Sequence, residues 1–211
     1  MDVVTVGELE AWVRHFAELV ATQRAYLTEL DSAIGDADHG INMDRGMQAV
    51  LAKLDAASPG TADALFKTVG MTLVSSIGGA SGPLYGTFFL RFGTACGPRV
   101  ELSAHDVVKA CRAGIEGLVA RGKPELGDKT MFDSLHPALE ALDAAVGQGL
   151  PPKTAFASAW LAAVRGRDET IPMVARKGRA SYLGERSAGH QDPGATSAAL
   201  LFEAAARVFE A

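Results

Sequence analysis

The sequence predicts an all-α protein, and three observations predict it. Apolar residues recur at three-to-four spacing along most of the chain, that spacing is more frequent than strand-like alternation, and no Asn-Gly or Asp-Gly turn joins two β-branched runs. Thr5 and Glu8 stand at capping-box spacing, and behind them Leu9, Trp12, Val13, Phe16, Leu19, Val20 and Leu27 keep a helical period, which defines the first amphipathic helix. Ala- and Leu-rich stretches of the same kind follow at 41–57, 61–77, 83–96, 104–121, 134–147, 152–166 and 195–210, with Ser103 and Asp106 offering a second capping box. Eight helices joined by short connections favour antiparallel neighbours, hence an up-and-down bundle or helical barrel forming one domain over residues 1–211.

The composition suits that architecture: 211 residues, 48% hydrophobic and 21% charged, can bury a sizeable core. No run approaches the roughly 20 apolar residues of a membrane span. The first residues, MDVVTVGELEAW, lack a basic segment followed by an apolar one, so a cytoplasmic location is expected. Cys96 and Cys111 have neither CxxC spacing nor a disulfide framework and read as reduced thiols. The formal charge of −5 argues against a general nucleic-acid surface, while a nucleotide site needs only local positive charge.

Chemistry is expected where the helical pattern breaks into glycine-rich and polar connections. Four such segments stand out: LDSAIGDADHGINM at 30–43, SIGGASGPLYG at 76–86, RGKPELGDKTMFDSLHP at 121–137 and ARKGRASYLGERSAGHQDPGATS at 175–197.

In the first, Asp31, Asp36 and Asp38 would diverge on a helix, whereas Gly35 and Gly40 favour a bent loop that could converge them. Converging carboxylates need a cation, and all-oxygen ligation selects a hard ion such as Mg²⁺. Spacing alone leaves open a solvated connection that uses aspartate for turns and caps. An EF-hand is excluded, because the glycine and the bidentate glutamate it requires fall on Ile41 and Met47. His39 reads either as a turn or core residue or, beside three acidic groups, as a contact to a nucleotide phosphate or ribose.

In the second segment Gly78, Gly79 and Gly82 permit close approach to a ligand, and Ser81 and Pro83 can open a helix whose free N–H groups face an anion; tight helix packing is the competing reading. The third resembles a P-loop only superficially, since it ends Gly-Asp-Lys-Thr and follows no strand. The fourth places Arg176, Lys177, Arg179 and Arg186 close together, and Asp192-Pro193-Gly194 sets up the last helix.

The four segments, in this order and covering nearly the whole chain, resemble the nucleotide-binding L subunit of the dihydroxyacetone kinase family. That resemblance implies a barrel of eight antiparallel amphipathic helices with ADP and two Mg²⁺ ions held in loops at one end. It makes Asp31, Asp36 and Asp38 the metal ligands and puts His39 and Asn42 against phosphates or ribose. Ala80, Ser81 and Gly82 would support the phosphates, and Gly122 and Met131 would lie against the adenine. Arg179, Asp192, Pro193 and Gly194 would close the site, with Arg179 the candidate transition-state stabiliser. It further implies two partners, a K subunit that binds and activates dihydroxyacetone and an M subunit that donates phosphoryl from phosphohistidine to the bound coenzyme. A subunit of an ATP-using kinase for dihydroxyacetone or a related ketose is the near alternative. A nucleotide-loaded module that binds a transcription regulator, and an all-α metal-dependent hydrolase, are the more distant ones. The hydrolase lacks the ExxE and ExxD pairs expected of one such group.

Overall fold

A computed structural model describes residues 3–209, in which eight α-helices run in sequence: α1 Val6–Ile34, α2 His39–Ala56, α3 Ala62–Ser76, α4 Ser81–Cys96, α5 Ala104–Gly122, α6 Phe132–Gly147, α7 Pro152–Glu169 and α8 Pro193–Val208. Ends differ from the periodic stretches by up to three residues, since end residues such as Ser81 and Pro193 carry no apolar periodicity. The expected end of the last helix, residue 210, lies outside the described residues. Both capping boxes are present: the Thr5 side chain accepts from the Glu8 N–H while Glu8 reaches back to the Thr5 N–H, and Ser103 and Asp106 do the same at α5.

Each helix packs on its neighbour in sequence, and α8 packs on both α1 and α7, so the helices close into a ring. Aromatic side chains fill it. Trp12 lies against Phe66, Phe89 and Phe92, with the Phe66 and Phe92 rings 4.4 Å apart. The Trp12 indole donates to the Leu201 carbonyl at 2.8 Å, which satisfies its polar edge and ties α1 to α8. Helix α8 is buried nearly all round, and its run of alanines lets α1, α6 and α7 approach it closely.

Two features depart from the expected pattern. The stretches Val3–Thr5 (β1) and Glu101–Ser103 (β2) pair antiparallel, with Val4 opposite Leu102, and lead directly into α1 and α5. Three residues are too few to display alternation, so the pair carried no strand signal. A 3₁₀ segment, Arg179–Ser187, also stands in the connection to α8. Cys96 and Cys111 are buried free thiols, and burial pushes the Cys96 thiol up to about 12. No helix among the described residues is long and apolar enough to cross a membrane.

Candidate functional site

All four polar segments meet at one end of the ring, around a cavity of about 850 Å³, a size suited to a small organic ligand. Asp31 sits on the last turn of α1 rather than in a loop, Asp36 in the connection and Asp38 at the N-cap of α2. One carboxylate oxygen from each comes within 4.8 Å of the others. Local geometry explains the convergence. Asp31 Oδ2 accepts the N–H groups of Asp38 at 2.8 Å and His39 at 3.0 Å, folding the connection back over the end of α1. A Cβ on Gly35 would stand 2.0 Å from Asp31 Oδ1, so the missing side chain makes room for that carboxylate. Ala37, between the other two aspartates, holds a left-handed φ of 61°, a conformation costing on the order of 1 kcal/mol for a non-glycine residue. Gly40, in contrast, is helical and does not bend the loop; it lies where α2 crosses α1.

With Oδ2 of Asp31 occupied by backbone donors, its Oδ1 and the carboxylates of Asp36 and Asp38 remain as hard oxygen donors, a set that fits Mg²⁺. The Arg179 guanidinium pairs with Asp36 at 2.9 Å across the mouth of the cavity. Both side chains are substantially exposed, so this pair adds little stability.

Four helix N-termini border the cavity: Asp31 takes N–H groups at the start of α2, Asp192 accepts from Ala195 at α8, and α6 opens at Met131 on the apolar wall. The start of α4 has no side-chain cap, which makes Gly79, Ala80 and Ser81 the natural place for an anion. Gly82, expected to touch the ligand as well, is absent from the cavity wall; it is buried against the Ile77 carbonyl, where a Cβ would be 2.3 Å from the oxygen.

His39 is buried and desolvated, which holds its pKa below the usual value despite Asp31 and Asp38 nearby. Its Nε2 meets the Ser197 hydroxyl at 3.0 Å and its Nδ1 meets Ser81 at 3.2 Å. With the Ser197 proton on the Gly194 carbonyl, the network assigns Tyr85 and His39 Nε2 as donors to Ser197 and His39 Nδ1 as acceptor from Ser81. The ring therefore positions Ser81 and carries no free N–H of its own. Asn42 lines the wall beside Gly78, its amide oxygen accepting from Arg45 at 2.7 Å.

The opposite wall is apolar: Leu84 of α4 and Leu118 of α5 face Gly122, Pro124 and Met131. The fourth segment contributes Arg176, Lys177 and Arg179 as cations, together with Tyr182, which is 87% exposed, whereas Arg186 does not line the cavity. Asp192, Pro193 and Gly194 form the floor. Lys129, from the false P-loop match, is 1% exposed and donates to backbone carbonyls rather than standing free.

Asp192 has the most perturbed carboxyl of the site. Burial pushes it up to about 7, against the lowering effect of the Ala195 N–H. Because the folded pKa exceeds the unfolded one, the folded state holds the extra proton between about pH 4 and pH 7, and stability falls as pH rises through that window. Asp192→Asn keeps an N-cap and removes the titration. Denaturant melts of the metal-free variant are expected to lose a pH-dependent decline on the order of 2 kcal/mol between about pH 5 and pH 7. An unaltered slope would assign the decline to other groups.

Residues 33–207 match the family described as the DAK2 domain. The chain is 47% identical, over 91% of its own length and 91% of the other's, to the PEP-dependent dihydroxyacetone kinase, ADP-binding subunit DhaL of Escherichia coli. It is 44% identical, over 92% and 91%, to the corresponding subunit of PEP-dependent dihydroxyacetone kinase 1 of Listeria innocua. Among solved structures, the dihydroxyacetone kinase of C. freundii in complex with AMP-PNP and Mg²⁺ superposes with a TM-score of 0.71 at 26% identity over 93% of this chain; this chain spans 33% of that one. The chain belongs to the DAK2 domain family.

Proposed function

We propose that this chain is the ADP-binding subunit of a phosphoenolpyruvate-dependent dihydroxyacetone phosphotransferase, acting in the cytoplasm as a single domain over residues 1–211. It takes a phosphoryl group from phosphohistidine on an M subunit and passes it to dihydroxyacetone held on a K subunit. The observation that carries this reading is the convergence of Asp31, Asp36 and Asp38 opposite the uncapped start of α4, with an apolar wall beside them. Likeness to the E. coli subunit along nearly the whole of both chains supports it.

In this reading the three aspartates hold Mg²⁺, two ions in all, which supply charge neutralisation for the phosphate oxygens. Gly79, Ala80 and Ser81 receive phosphate through their N–H groups, with Ser81 held by His39. Gly122 and Met131, backed by Leu84 and Leu118, take the adenine face, and Asn42 borders the phosphates or ribose. Arg179 reaches the mouth from the far side, where its guanidinium can meet charge on the transferred group. Asp192, Pro193 and Gly194 close the floor. His39 has both nitrogens engaged, which leaves it no part as general base and agrees with activation of the ketose on the K subunit. A transcription regulator that senses the nucleotide-loaded form is a further partner of this reading.

The second reading, an ATP-dependent kinase subunit for dihydroxyacetone or a related ketose, is favoured by one observation, the AMP-PNP complex of the structural relative. Turnover with the matching K subunit separates the two. Phosphoenolpyruvate with the phosphotransferase proteins is expected to support dihydroxyacetone phosphorylation and ATP alone is not. Turnover with ATP only would refute the phosphoprotein donor.

A further inference from the structure

The connection between α7 and α8 carries three cations and a tyrosine to the cavity, yet it has little regular structure of its own. Its own apolar support is a small cluster of Ile34, Ala175 and Ala180, with Leu183 packed on it. Something else must fix its course, and the hydrogen bonds converge on one side chain. The Lys129 Nζ donates to the carbonyls of Met173 at 3.0 Å and Ser187 at 2.6 Å, with Ile171 at 3.4 Å. These carbonyls lie on the two stems of the connection, one before the 3₁₀ segment and one at its end. The stems are stitched again beside the lysine, where the Ser187 hydroxyl accepts from the Ala175 N–H at 2.8 Å and the Gly189 N–H donates to the Ile171 carbonyl at 2.7 Å. The turn that bears Lys129 is itself fixed, since Asp133 accepts from the Gly127 and Thr130 N–H groups and Arg176 N–H donates to the Asp128 carbonyl.

We infer that Lys129 is a positioning residue, a clasp whose ammonium binds both stems of the 171–187 connection and so sets where Arg179 stands over the nucleotide site. An ammonium suits this task because it offers three donors and no acceptor, matching three carbonyl oxygens that converge on it, of which that of Ile171 also accepts from the Gly189 N–H. Its charge is spent on the protein's own backbone, so it is not the phosphate ligand that the Gly-Asp-Lys-Thr string suggests.

The inference rests on the nucleotide reading only for its functional consequence, and the test separates the two. In nucleotide-free protein, hydrogen exchange of Lys129→Met is expected to quicken about tenfold or more at the amides of Ala175 and Gly189, with those of α3 and α4 unchanged. With ADP and Mg²⁺ added, the ADP release rate is expected to rise by a similar factor, and Lys129→Arg, which keeps donors, to restore part of both. A parent chain that retains no ADP would count against the nucleotide reading and leave the exchange test standing. Unchanged exchange in the variant overturns the clasp, including the case where ADP affinity alone falls, which would make Lys129 a direct ligand. Loosening throughout the ring, or failure of both variants to fold, also overturns it by making Lys129 a general core requirement.

Discussion

Asp36→Ala and Asp38→Ala are each expected to strip ADP from gently purified protein while helical content stays at the parent level. Neither carboxylate supports the core: Asp36 has its ion pair with exposed Arg179, and Asp38 makes no side-chain cap to α2. Removing one of three hard donors should lower metal-dependent nucleotide affinity on the order of a hundredfold, since even changes behind a metal ligand cost about 10- to 100-fold. Asp31→Ala should differ in kind. It also frees the N–H groups of Asp38 and His39, a further loss of about 1–3 kcal/mol in stability. Mass analysis of retained nucleotide and circular dichroism read both effects. Full retention in the Asp36 and Asp38 variants would remove them from the metal site.

Gly40→Ala should be the most destabilising conservative change near the site, against the helix-propensity expectation. In an exposed helix alanine in place of glycine gains about 1 kcal/mol. Here the new Cβ would lie 2.1 Å from the Arg24 carbonyl oxygen and 2.9 Å from the Thr28 nitrogen, both backbone atoms of α1 that cannot rotate aside. Helix α2 would have to move away, at a cost of about 3 kcal/mol. Asp38 and His39 begin that helix, so ADP retention should fall with stability. Denaturant titration checks the first and mass analysis the second. An unshifted midpoint would mean that α2 can slide without loss.

The ring was legible because each helix buries one stripe, and stripes write themselves into apolar spacing. The three aspartates were legible as residue types, and their convergence was not. It depends on two backbone N–H groups turned onto Asp31 and on a strained Ala37, neither of which has a composition signature. Leu84 and Leu118 went unnoticed because a ligand wall and a core stripe use the same side chains at the same spacing. Glycine misled in one place: Gly40 suggested a bend but serves the approach of α2 to α1. Lys129 was hidden for another reason. Its carbonyl partners stand 42 to 58 residues further along, and no local pattern announces them.

The closing of the ring by α8 also orders assembly in time. The aspartate turn is made before the Ser197 that pins His39, and through it Ser81, which arrives with α8. Contacts spanning nearly two hundred positions, such as Trp12 to Leu201, carry the largest loop-closure entropy and form late. A nascent chain thus displays its acidic residues long before it can grip a nucleotide, and competence to bind becomes a report that the ring has closed.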